Sequence, residues 1–177
     1  MNLLITDSGL GGLSMLARLV ILLELQRMDQ PYLGIEIVYV NAVPRDNYGY
    51  NEMSTREEQI KVFNRLLENV GKKYNPDKIY VACGSLSAFM DEVPFAIKHQ
   101  KIIQGIGETG NNLLKQTIHD HPLEPVFVFA TPTTVKEGLY SLNELINEEN
   151  PLIFVEQSCP GLASIISSNS DEKIIQE

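Results

Sequence analysis

The chain has 177 residues, 44% hydrophobic and 21% charged, the composition of a globular protein long enough for one large domain or two small ones. A net charge of −9 sets it against nucleic-acid or anionic-membrane binding. Two distant cysteines, Cys83 and Cys159, make no disulfide framework or zinc pattern. With no basic leader and no apolar run near ~18 residues, a reduced, cytoplasmic chain is expected.

Residues 3–5 read as a buried strand that ends in Thr6-Asp7-Ser8-Gly9-Leu10-Gly11-Gly12. Its glycines permit a tight turn that presents backbone N–H groups, Ser8 and Asp7 to a carboxylate. An ordinary turn with Asp7 as a helix cap is the competing reading. A dinucleotide fingerprint is disfavoured, because the third glycine stands at 12 rather than 14. A helix follows, with Leu13, Leu16, Val20 and Leu23 on one face. After a second strand at 35–40, Asn47-Tyr48-Gly49 offers a hydroxyl and a backbone amide to a ligand, or forms a plain surface loop. Ser54 and Thr55, followed by Glu57 and Glu58, predict a capped helix whose face carries Ile60, Phe63, Leu67 and Val70.

The third strand, 79–81, delivers Cys83 into a small polar turn before a helix. There, unpaired N–H groups and the helix dipole favour the thiolate, the form that removes protons. The bland alternative is a buried structural cysteine. A strand at 102–103, a helix carrying Leu113, Leu114 and Ile118, and a buried strand at 126–130 come next. His119-Asp120-His121, placed in a polar loop, lacks a third ligand, so no metal is expected. Thr131, Thr133 and Thr134 stand at a strand-to-helix corner as caps or as neutral donors to an anion. Val135, Leu139, Leu142 and Ile146 mark another helix, before a strand at 152–155 and Ser158-Cys159-Pro160. Residues 168–172 resemble a helix start followed by only five residues, so the chain reads as stopping early.

Strands alternating with helices imply βαβ units and parallel sheets, with ligands expected at the carboxyl ends of the strands. The predicted boundary falls near Val93-Pro94, giving domains at 1–95 and 96–177, the second incomplete.

Five turns now stand in order: Asp7-Ser8-Gly9-Leu10-Gly11-Gly12, Asn47-Tyr48-Gly49, Ala82-Cys83-Gly84-Ser85-Leu86-Ser87-Ala88, Ala130-Thr131-Pro132-Thr133-Thr134-Val135 and Ser158-Cys159-Pro160. In them the chain resembles the glutamate racemases of the aspartate/glutamate racemase superfamily. The corresponding family motifs are D-S-G-x-G-G, P-Y-G, A-C-N-T-x-S-A, A-T-x-x-T-V and C-P. The resemblance implies an α/β protein of two flavodoxin-like parallel-sheet domains, here without the C-terminal closing segment. It also implies cofactor-independent interconversion of L- and D-glutamate by cysteine proton transfer, supplying peptidoglycan precursors. Cys83 matches the first catalytic cysteine and Asp7 the carboxylate beside it. Ser8, Tyr48, Gly49, Gly84, Ser85, Thr131 and Thr134 match substrate-binding positions, and Cys159 matches the non-catalytic C-P cysteine.

The departures carry their own expectations. Gly84-Ser85 replaces the family's Asn-Thr, Asn47 replaces its proline, and Ser167 stands near the place of a usual glutamate. The family's second catalytic cysteine belongs to a C-T-H-Y segment beyond residue 177, so this chain alone is expected not to racemise. The alternative is a degenerate or truncated relative that binds an acidic amino acid or a protein partner. The family commonly forms homodimers; neither nucleic acid nor membrane is an expected partner.

Overall fold

The structure is a computed structural model that describes residues 1–27, 34–45, 48–122, 124–140, 154–162 and 165. It divides into two compact units, Met1–Ile106 and Gly107–Glu177.

The first unit is a four-stranded sheet in the order β2-β1-β3-β4. Its strands are β1 (Asn2–Asp7), β2 (Glu36–Asn41), β3 (Lys78–Val81) and β4 (Ile103–Gly105). Every pairing is parallel, with Ile5 opposite Tyr39 on one side and Tyr80 on the other. Because β4 pairs with β3, it belongs to this sheet, whereas the sequence division at 95/96 had placed it in the second domain.

Helix α1 (Gly11–Arg27) follows β1, and α2 (Arg56–Tyr74) follows β2. The α2 boundaries are chemical. Thr55 caps its N-terminus by accepting the Glu58 N–H, and Asn75 closes its C-terminus at φ 42° in the left-handed region. Phe63, Leu67 and Val70 are buried and Ile60 is packed against them, as their spacing predicts. They join Leu4, Ile79, Val81 and Phe89 in one core. Phe63 and Phe89 meet edge to face at 6.0 Å.

The face expected of α1 is realised only at Leu16 and Leu23. Leu13 and Val20 are exposed, while Met15, Leu16, Leu19 and Leu23 are half-buried. Apolar residues surround this helix, so periodicity could not select a side. At its start Gly12 lies against the end of β1, where a Cβ would be 2.6 Å from Asp7 Cβ. The short helices α3 (Gly84–Ser87) and α4 (Pro94–Lys98) complete the unit.

The second unit contains α5 (Ile106–Asp120, its first residue shared with the first unit), β5 (Val126–Ala130), α6 (Pro132–Lys136) and β6 (Phe154–Ser158). Strands β5 and β6 pair in parallel, Val126 with Phe154 through Ala130 with Ser158. Ile118 is buried against Leu114, Val126 and Phe154. Leu113, expected on the same face, is exposed, because Gly107 and Gly110 pack close to Leu139 and Tyr140 and fix how α5 is turned. Strand β5 alternates rather than burying both faces, with Phe127 and Phe129 exposed. His119 and Asp120 end α5 instead of lying in a loop. Leu142, Ile146 and the helix start expected at 168–172 lie outside the described residues.

Candidate functional site

Parallel strands bring the first unit's candidate residues together. β1 and β3 are adjacent and in register from Leu3 and Lys78 to Thr6 and Val81, so Asp7, Ser8 and Cys83 emerge at the same end of the sheet. Ser8 Oγ and Cys83 Sγ are hydrogen-bonded at 3.1 Å. Asp7 is buried, and its Oδ2 accepts the Gly12 N–H at 2.7 Å. This carboxylate therefore caps α1 while standing beside the thiol's turn, which joins the two readings of Asp7. The turn tolerates no side chain at Gly12: a Cβ there would lie 2.6 Å from Asp7 Cβ and 3.2 Å from Ala82 Cβ.

Cys83 occupies the N-cap of α3 and is buried. Its thiol is pushed above the ordinary cysteine range, first by burial and then by the Asp7 charge. The Ser8 hydroxyl and the backbone amides of Leu86 and Ser8 pull it back only in part. Helix-end activation, expected from sequence, is thus outweighed by desolvation, and α3 is only four residues long. At neutral pH the thiol keeps its proton until an acceptor takes it.

The loop after β2 has its donors engaged. Tyr48 OH donates to Glu58 Oε1 at 3.0 Å, and Gly49 N–H donates to Glu52 Oε2 at 2.8 Å. Ser85 is buried and Gly84 half-buried in the first turn of α3. Asn47 lies outside the described residues. In the second unit, Thr131 caps α6: its Oγ1 accepts the Thr134 N–H at 3.3 Å and lies 3.0 Å from Thr134 Oγ1. Cys159 follows β6 half-buried, its Sγ 3.7 Å from the Gln157 carbonyl.

Two tyrosines not singled out from sequence belong to the surroundings of Cys83. Tyr39 OH donates to the Gly9 carbonyl at 3.2 Å, and its phenol is raised by burial and by the charges of Asp7 and Cys83. Tyr50 is buried in the same cluster as Cys83. Tyr39's place near the carboxyl end of β2 was the available signal; nothing in the sequence distinguished Tyr50 from a core aromatic.

No family model matches the chain. Glutamate racemase 2 of Caldanaerobacter subterraneus subsp. tengcongensis is 29% identical over 161 residues, covering 90% of this chain and 53% of that protein. Glutamate racemase of Aliarcobacter butzleri is 31% identical over 166 residues, 89% of this chain and 54% of the relative. The chain is similar to glutamate racemases. It spans about half the length of these curated relatives. The crystal structure of glutamate racemase from Campylobacter jejuni subsp. jejuni aligns with 97% of the chain and 63% of its own, at TM-score 0.68 and 21% identity. Glutamate racemase from Francisella tularensis subsp. tularensis, solved in complex with D-glutamate, aligns with 93% of the chain and 55% of its own, at TM-score 0.57 and 20% identity. The α/β architecture of parallel sheets is that of the glutamate racemases.

Proposed function

We propose that this chain carries the first proton-transfer half of a cofactor-independent, glutamate-racemase-like site. Cys83, once its proton has passed to Asp7, removes the α-hydrogen of glutamate: the S–H bond forms, the Cα–H bond breaks, and the electron pair moves into the α-carboxylate. Reprotonation on the same face returns the starting enantiomer; reprotonation on the opposite face inverts it. The α-proton is far less acidic than a thiol, so fixed donors around the substrate must stabilise the developing charge. Ser8, Gly84 and Ser85, with Tyr48 and Gly49 once released from Glu58 and Glu52, supply those donors in the first unit. In the second unit, Thr131 and Thr134 are neutral donors suited to an anion at the start of α6. In the whole protein the reaction would provide D-glutamate for peptidoglycan precursors in the cytoplasm, and a homodimer belongs to the same reading.

The observation that carries this proposal is the Ser8–Cys83 hydrogen bond at 3.1 Å beside a buried carboxylate. A second reading, a relative that binds an acidic amino acid without racemising it, is favoured by Gly84, which offers no side-chain amide, and by the engaged donors of Tyr48 and Gly49.

The two separate in deuterated water. Loss of the glutamate α-proton signal in NMR is expected with the 177-residue chain and is expected to vanish in Cys83→Ala. Binding without exchange selects the second reading. Exchange that survives Cys83→Ala removes Cys83 from the mechanism.

A further inference from the structure

Tyr50 begins the short turn Tyr50–Glu52, just after Tyr48 and Gly49, in the loop that leaves the carboxyl end of β2. Its ring is held on two sides, 6.1 Å from Phe63 and 6.3 Å from Phe89 between centroids. Its carbonyl accepts Gln59 Nε2 at 2.7 Å, so main chain and ring are both fixed. The side chain is 2% exposed, yet its hydroxyl has no hydrogen-bond partner among the described residues. Leaving such a group unmade is costly, and phenylalanine would fill the same space without that cost.

We infer that the Tyr50 hydroxyl is a substrate-binding group of the Cys83 site, donating a hydrogen bond to a carboxylate oxygen of the bound amino acid. Cys83 belongs to the same buried cluster, and the charge of a thiolate formed there reaches the phenol. Burial and that charge both raise the phenol well above its ordinary value, so the oxygen keeps the proton it would donate. A rigid neutral donor suits an anionic oxygen whose negative charge grows as the α-proton leaves, and it adds no charge that would disturb the thiol. The inference rests on the acidic amino-acid reading and adds a residue to it.

Tyr50→Phe deletes one oxygen and keeps the ring. Calorimetry with L- and D-glutamate, together with ligand-free thermal unfolding, is the test. Binding of at least one enantiomer is expected to weaken about tenfold or more, while the ligand-free Tm stays equal or rises. Equal affinity in the two proteins overturns the inference alone, an internal water then being the hydroxyl's partner. A lower ligand-free Tm overturns it too, because the hydroxyl would then have a structural partner. Wild-type protein that binds neither enantiomer overturns the proposed function, and this inference falls with it.

Discussion

Cys83 keeps its proton for two reasons that add: a buried thiolate loses hydration, and Asp7 would stand beside it as a second negative charge. Asp7 is therefore useful as a proton acceptor and not as a field that activates the thiol. The raised thiol has a stability consequence whose sign is definite. The folded form prefers the protonated thiol more than the unfolded chain does, so this contribution is complete below the unfolded value of about 8.5 and is lost as pH rises through the folded value. Urea unfolding of the wild type is expected to lose stability above about pH 8.5, with Cys83→Ala showing a shallower decline. An identical decline in both would remove Cys83 as its source. Tyr50, raised for the same first reason, adds to the loss at still higher pH.

Among the elements, α2 was the most legible from sequence and α1 the least. In α2 the cap, the acidic first turn and a single apolar stripe agree, and Thr55, Glu57 with Glu58, and the buried Phe63, Leu67 and Val70 realise all three. Thr55→Ala is expected to cost about 1 kcal/mol, read by urea unfolding, because the Glu58 N–H loses its acceptor at the exposed helix start. No loss would mean that the capping bond contributes nothing in solution. In α1 the apolar residues encircle the axis, so sequence could name the helix but not its buried side. The same ambiguity explains β5: a continuous apolar run reads as buried on both faces, and only the packing of Ile118 shows which face is covered.

For the molecule as a whole, the exposed Ile21, Leu22 and Leu25 on α1 and Phe127 and Phe129 on β5 make large apolar surfaces. Light scattering after size-exclusion chromatography is expected to show association at micromolar concentration, reduced by Ile21→Lys with Leu25→Glu. A monomeric wild type would discard the homodimer reading. Across the described residues, the βα alternation, the parallel sheets and the order of five turns were determined by sequence alone. Such features follow from local spacing, turn chemistry and the length of each apolar run. Tertiary structure decided how α1 and α5 are turned, that β4 belongs to the first sheet, that Tyr48 and Gly49 are engaged, and that the buried Tyr50 hydroxyl has no partner among the described residues. At Cys83 it set burial, with the Asp7 charge, above the pull of the helix end. Desolvation and neighbouring charge arise only when distant segments close around a group, and no local pattern of residues records them.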